Sequence, residues 1–540
     1  MCDDYEYTDP IVVGNERDVP DNGMKQFDFI DSKKVLLIKQ KGQLYAVGSN
    51  CPHYGAPLQN GVLSEGRIRC PWHGACFDIK TGDIENFPGL DSLLCYKVEI
   101  SKSGQVGIMT RRKDVGFIKR IRDMVKRDMN DPSTYVVVGG GPAGGICVET
   151  LRQQGYAGRI ILISKEAYLP YDRVKISKTT NVKIEALQYR QQEFYDEYDI
   201  ETFLNVEATK VAGGEQTITL SNGISIQYDK MFIATGCAPI IPPITGIDLK
   251  NVVIIRTYDD LAAISKAKDE TTNAVCLGSS IITLEIAQTL IKQVESVTIV
   301  GTTNLIGNEF LGDVIGERVL RLFTDNRVTV IPNSGVSEVL PNMNGEVEKV
   351  MLINYNVLPC NLLIIDADVS LNTNFLEGSG LKLNTDGSID TNIYLRTSIE
   401  SIYVGGDIAN APVYSIDNEF AVIRNYQIAQ NHGRVAAINM VQSRSKILRT
   451  VPFFFTKLFG KSFRFSGYGE YTNLIIEGDL ENLQFVAYFI NNADKVVRVG
   501  SCDCNAVVAK FAELQSQGFS LTRKDVENTE MAWTKLIKTG

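Results

Sequence analysis

Only three histidines occur in the 540 residues, and two of them share one pattern. Cys51-Pro-His53 is followed, sixteen residues later, by Cys70-Pro-Trp-His73. Each half supplies one thiol and one imidazole. Gly55, Pro57, Pro71 and Gly74 surround them and suit tight loops. Two loops clasping a common centre fix the fold around them, because four side chains from distant positions must converge. Zinc also accepts two cysteines and two histidines, but zinc-finger spacing pairs Cys with Cys and His with His. The mixed pairs favour a centre in which two thiolates bind one metal and two imidazoles another.

This pattern resembles the ligand loops of Rieske [2Fe–2S] domains, with Cys51, His53, Cys70 and His73 as the cluster ligands. Rieske proteins of respiratory complexes carry an extra cysteine in each loop, forming a disulfide. Those places here hold Ala56 and Trp72. The loops are therefore similar to the ferredoxin and oxygenase type, which implies a potential near the low end of the Rieske range. A flavin can reduce such a cluster.

A second motif starts at Tyr135. The apolar run Tyr135-Val-Val-Val138 leads into Gly139-Gly-Gly141-Pro142-Ala143-Gly144, a helical stretch to Gln154, and a second strand ending before Glu166. Strand, glycine turn, helix and acid, 22 residues after Gly144, make a full dinucleotide fingerprint. Gly139 permits the turn, Gly141 admits a diphosphate, and Gly144 lets helix and strand approach. The helix N-terminus stabilises phosphate charge. Glu166 favours a free ribose hydroxyl.

Further segments select FAD for this site. Tyr228 to Gly236, with Ala234-Thr235-Gly236, resembles the returning strand of a flavoprotein domain. Ser401 to Asp407 resembles the distal flavin motif, whose aspartate binds the ribityl chain. Leu169-Pro-Tyr-Asp-Arg173-Val-Lys-Ile-Ser-Lys178 resembles the LPYDRPxLSK stretch of ferredoxin-reductase-type flavoproteins and apoptosis-inducing factors. With Gly460 to Gly469 behind and the cysteine–histidine loops in front, the whole chain resembles the Rieske-bearing apoptosis-inducing-factor-like branch. The resemblance implies that Arg173 helps bind FAD, that Lys178 lies near flavin N5, and that Glu285 pairs with Lys178, these two forming the catalytic pair. A surface ion pair is the plainer reading of such residues.

The nicotinamide half departs from the family. Gly278 and Ser280 stand at the first two fingerprint positions, but Thr283 replaces the third glycine, where a β-branched side chain should push helix and strand apart. Relatives carry glutamate at the place of Gly301 and Gly-x-Gly at the place of Asp366-Ala-Asp368. Two carboxylates there would oppose an anionic dinucleotide if they point into the cleft. Tyr426 and Phe455 stand where relatives have Trp. Each lost contact costs about 1–3 kcal/mol, so NAD(P)H binding is expected to be weakened.

Counting residues excludes other activities. A Rieske oxygenase needs a second iron held by two histidines and a carboxylate, and only His432 remains. His432 reads as a structural helix residue. A disulfide reductase needs a dithiol beside the flavin, and Gly144 to Lys178 contains Cys147 alone. The eleven cysteines read as reduced thiols, Cys502 and Cys504 included. The net charge of −9 argues against a nucleic-acid partner, and no apolar run of about 18 residues marks a membrane span. The acidic start of the chain lacks a signal or transit pattern, so a cytoplasmic location is expected, with mitochondrial association as the alternative.

The expected architecture is multidomain. It comprises an all-β Rieske domain (1–110), a basic linker helix (111–131) and an FAD domain in two parts (132–254 and 376–447). An NAD(P)H-binding-like α/β domain is inserted between those parts (255–375), and an α+β interface domain follows (448–540). In the family that last domain supports dimers, which allows a homodimer. The linker, rich in Arg and Lys with apolar residues at helical spacing, suits a helix resting on a neighbour, a membrane surface or an acidic partner. The expected function is an NAD(P)H oxidoreductase passing electrons singly from FAD to the [2Fe–2S] cluster and on to an unknown acceptor, which can be a protein. The alternative is a redox-sensing or cell-death signalling flavoprotein with a degenerate NADH site.

Overall fold

A computed structural model describes residues 6–30, 33–307, 311–504, 506–527 and 531–538. The N-terminal part is all-β. A six-stranded sheet runs in the order Ile11–Asn15, Gln105–Met109, Cys95–Ile100, Gln43–Gly48, Lys34–Gln40, Gly23–Asp28. Strand Lys34–Gln40 is apolar on both faces because alternate side chains enter different cores. Leu36 and Ile38 join Val47, Ile68 and Phe77, while Val35 and Leu37 join Leu44, Ala46 and Ile108. A smaller sheet (Val62–Ser64, Arg67–Arg69, Cys76–Asp78, Ile84–Asn86) carries the second cysteine–histidine loop between two of its strands.

Next comes a parallel sheet ordered Ile200–Phe203, Arg159–Ile163, Thr134–Val138, Lys230–Ile233, Ile402–Val404. Its central strands are nearly continuous apolar runs because both faces are covered: helices lie on one face, and the small antiparallel sheet Ala208–Ala212, Thr217–Leu220, Ser225–Gln227 brings Val211, Ile218 and Ile226 into the same core. Helix α1 (Pro142–Gln153) follows the first fingerprint. A second parallel sheet, ordered Val252–Ile254, Leu362–Ile365, Asn273–Leu277, Ser296–Val300, Thr329–Ile331, lies in sequence between the last two strands of the first. Helix α2 (Ile281–Leu290) follows its glycine turn. Helix α3 (Tyr426–Val441) packs on α1 so closely that a Cβ at Gly433 would lie 2.1 Å from the Ala143 carbonyl oxygen. The C-terminal part is a five-stranded antiparallel sheet, with Phe453–Leu458 at one edge, backed by helix α4 (Val507–Ser516). The all-β, parallel α/β and C-terminal α+β layers are those expected.

Residues 111–131 do not form the expected helix. They make one 3-10 turn at Arg112–Asp114 and then an extended strap. The cause is pairing with both neighbours. Arg120 and Ser92 exchange two backbone hydrogen bonds, and the Val125 N–H donates to the Arg152 carbonyl at 3.2 Å. Lys119 pairs with Asp91 at 2.7 Å and Arg122 with Asp83 at 3.1 Å. These contacts use backbone groups that a helix would need internally. Phe117, Ile118 and Met129 are left exposed.

Among the described residues no helix is long and apolar enough to cross a membrane. The ten described cysteines, including Cys502 and Cys504, form no disulfide.

Candidate functional site

The two cysteine–histidine loops are built alike. In the first, the Cys51 N–H donates to the Ala56 carbonyl and the Gly55 N–H to the Cys51 carbonyl. In the second, Cys70 donates to Ala75 and Gly74 to Cys70. Gly55 and Gly74 take φ of +77° and +78°, the left-handed turn that glycine adopts without strain. The loops bring Cys51 and Cys70 into hydrogen-bonding contact, and the Nδ1 atoms of His53 and His73 to 3.0 Å. No three ligating groups converge on one point among the described residues. The four instead divide into a thiol pair and an imidazole pair, the donor set of two metals with two protein ligands each.

The surroundings suit such a centre. Burial holds the His53 imidazole down at about 4, with Lys175 assisting, and His73 at about 2, so both rings are neutral, the form in which an imidazole can bind a metal. Burial opposes ionisation of Cys70. The Cys51 thiol, the N–H groups of His73 and Trp72, and the Arg464 guanidinium outweigh it, so the Cys70 pKa falls. Arg464 donates through Nε to the Trp72 carbonyl at 3.0 Å, and its Nη1 is buried with no hydrogen-bond partner. A buried, partly unsatisfied cation beside the thiols fits an anionic centre.

The loops point into the molecule. Arg69 pairs with Glu513 of α4 at 2.8 Å and donates to the Gly74 carbonyl at 2.9 Å. Gln427 of α3 donates to the Phe87 carbonyl at 2.8 Å and accepts from the Phe453 N–H at 2.9 Å. The Phe455 ring lies against His73 with centroids 3.6 Å apart and planes 34° apart.

His73 and Phe455 are part of the wall of one cavity of about 1100 Å³ that also contains the first fingerprint. There Gly139 (φ +117°) passes so near that a Cβ would lie 2.2 Å from the Ala234 carbonyl oxygen, and one at Gly144 would lie 1.9 Å from the Gly139 oxygen. A Cβ at Gly141 would meet nothing, leaving space for a diphosphate at the α1 N-terminus, where Pro142 opens the helix. Ala143 is buried under this turn. Glu166 accepts from Tyr171 at 2.7 Å and pairs with Arg173. Thr235 donates to the Asn372 carbonyl at 2.7 Å, and Gly236 turns with φ +65°. Lys178 pairs with Glu285 at 2.7 Å, and Thr456 donates to Glu285 at 2.6 Å. Asp407 pairs with Arg256 at 3.1 Å and accepts from Cys237 at 3.3 Å. His432 accepts the Gly406 N–H at 3.1 Å, and burial keeps the ring neutral, down at about 4.

Sequence reasoning missed Arg256 and Cys237. Cys237 directly follows Ala234-Thr235-Gly236 and could have been found there. Arg256 follows a strand of the inserted sheet, with no local signal tying it to Asp407.

The second fingerprint departs from the first. Gly278 (φ +151°) turns the chain, and Ser280 caps α2. Thr283 is buried, with its hydroxyl donating to the Asp366 carboxylate at 2.9 Å, and Ser280 donates to the same oxygen. Burial raises the Asp366 pKa, and these hydrogen bonds oppose the rise. Asp368 is exposed, and its backbone carbonyl accepts from Ile240 at 2.7 Å.

Comparison with known proteins places these features in context. The Pyridine nucleotide-disulphide oxidoreductase family matches residues 133–433, and the Rieske [2Fe-2S] domain matches residues 9–97. Apoptosis-inducing factor 3 of Mus musculus is 37% identical over 500 residues, covering 92% of this chain and 82% of the relative. The ferredoxin–NAD(+) reductase subunit of the benzene 1,2-dioxygenase system of Pseudomonas putida is 30% identical over 285 residues, covering 52% of this chain and 68% of that one. The crystal structure of the ferredoxin reductase for the CYP199A2 system of Rhodopseudomonas palustris superposes with a TM-score of 0.69 at 22% identity, covering 75% of this chain and all of that one. The Rieske match implies a [2Fe–2S] cluster, and the oxidoreductase match implies FAD.

Proposed function

The chain belongs to the pyridine nucleotide-disulphide oxidoreductases, in the Rieske-bearing branch of apoptosis-inducing factor 3, and on that premise we propose that it moves electrons from NAD(P)H to an acceptor through FAD and a [2Fe–2S] cluster. The observation that carries this reading is the shared cavity: His73 of the cysteine–histidine loops and the Gly139–Gly144 turn line one space. When bound, FAD supplies the change from two-electron to one-electron transfer, and the cluster supplies a one-electron relay.

The side chains divide the work. Cys51 and Cys70 hold one iron, and His53 and His73 hold the other. Gly141 and the α1 N-terminus hold the FAD diphosphate, Glu166 and Arg173 the adenosine side, and Asp407 the ribityl chain. Ala234, Thr235 and Gly236 form the strand end against that turn. Lys178, fixed by Glu285, keeps a positive charge in the cavity wall and favours anionic reduced flavin. Phe455 lays its ring against His73 in that wall and covers one side of the imidazole. Fusion of both centres in one chain replaces encounter with a fixed approach.

The Asp366 hydrogen bonds favour a second reading, a redox-sensing flavoprotein that uses nicotinamide poorly. An anaerobic titration with NADH and NADPH, followed by visible absorbance, separates the two. Bleaching of flavin and then of the cluster bands supports the oxidoreductase. Bleaching by dithionite but by neither nucleotide at millimolar concentration removes the donor.

A further inference from the structure

The first glycine turn opens onto the large cavity, where a Cβ at Gly141 would meet nothing, whereas the second turn is occupied by a side chain of its own unit. At the second, the Asp366 carboxylate accepts from Ser280 Oγ and from Thr283 Oγ1 at 2.9 Å, and the backbone N–H groups of Ser280 and Thr283 lie close enough to favour its charged form. Those N–H groups belong to the first turn of α2, the place where a dinucleotide-binding helix meets its diphosphate. The contact is close: a Cβ at Gly278 would lie 2.6 Å from Thr283 Oγ1 and 2.8 Å from Asp366 Cβ. Ser280 and Asp366 both line the large cavity, so the seat is on its surface and not sealed in the core.

The adenosine side is closed as well. The Gly307 N–H donates to the Ser279 carbonyl at 2.8 Å, and the Thr303 N–H to Ser279 Oγ at 3.2 Å. This turn packs fully buried Ile306 beside Gly301, where a Cβ would lie 2.9 Å from Ile306 Cγ1. A glutamate reaching a ribose from position 301 has no room unless Ile306 moves.

We propose that Asp366 is an internal anion seated where the second unit would bind a dinucleotide diphosphate, so that a nicotinamide dinucleotide enters only by displacing it. Thr283 belongs to the same device: a hydroxyl at the third fingerprint position is needed to hold the carboxylate. This inference rests on the reading of the chain as an NAD(P)H-linked oxidoreductase, and it explains why that donor would bind weakly. A carboxylate already hydrogen-bonded to the helix start competes directly with phosphate oxygens for the same donors.

The test is calorimetric titration of ADP-ribose, which carries the adenosine diphosphate and no nicotinamide, into FAD- and cluster-loaded protein. FAD already fills the first fingerprint, so the probe reads the second. Asp366→Asn removes the charge at constant size, and Asp366→Gly restores the space. Both are expected to bind ADP-ribose at least about tenfold more tightly than the unaltered chain, while Asp368→Asn, in the same cavity wall, gains little. Unchanged or weaker binding in both Asp366 variants overturns the inference, and so does an equal gain in Asp368→Asn. Flavin bleaching by NADH and NADPH, measured in parallel, tests the donor itself. Tighter ADP-ribose binding without bleaching leaves Asp366 in its role and removes the donor reading. Bleaching with unchanged ADP-ribose affinity does the reverse.

Discussion

At the residue scale, the cation beside the thiols has a measurable effect. Arg464 reaches the second loop through the Trp72 carbonyl and favours the anionic form of Cys70. A cluster gains negative charge on reduction, so a neighbouring cation stabilises the reduced form. Arg464→Gln is expected to lower the midpoint potential of the cluster, read by redox titration with electron paramagnetic resonance. An unchanged or higher potential would show that Arg464 serves only to dock the loop. The four proposed ligands were legible in the sequence because their chemistry is local: two short motifs, each with its own glycine. The state of Asp366 was only half legible. Its replacement of a glycine was visible, but its partners Ser280 and Thr283 lie more than 80 residues away in the chain, so its direction depended on tertiary structure.

At the element scale, α4 clamps the N-terminal β unit. Glu513 is fully buried and accepts from Ser64 at 2.7 Å while pairing with Arg67 at 2.7 Å and Arg69 at 2.8 Å. Burial alone would raise its pKa. Arg69, Arg67 and the Ser64 hydroxyl outweigh that and hold it at about 2, below the ordinary 4.5. A depressed carboxylate adds stability above its unfolded value, and loses it as pH falls through the folded value. The clamp is therefore intact above about pH 4.5 and fails towards pH 2. Glu513→Gln leaves the buried Arg69 without its counter-charge and Arg67 with only Glu85 at 4.0 Å, and is expected to cost about 3–5 kcal/mol in denaturant unfolding near neutral pH. The variant should also lose the clamp's share of the acid-dependent fall. A cost below about 1 kcal/mol would mean that the pair is dispensable to docking. The parallel sheets and α1 were legible from apolar runs and glycine spacing. The strap at 111–131 was not, because its charges answer Asp83 and Asp91, and residue spacing alone mimics a helix.

At the scale of the whole molecule, one arrangement joins the two proposed centres. The N-terminal β unit docks through Phe87 on α3, through its second loop on the C-terminal sheet and through Arg69 on α4, and His73 then shares a cavity with the first dinucleotide turn. A unit held by side-chain and backbone hydrogen bonds on several faces is fixed in place, so the proposed transfer from flavin to cluster would need no domain movement. The most direct measurement is rapid freeze-quench electron paramagnetic resonance of FAD- and cluster-loaded protein after the flavin is reduced in a photochemical pulse. The reduced-cluster signal is expected to grow by a first-order process whose rate is independent of protein concentration, and Glu513→Gln is expected to slow it. A rate proportional to protein concentration, or a flavin that stays reduced beside an oxidised cluster, would contradict the proposed transfer.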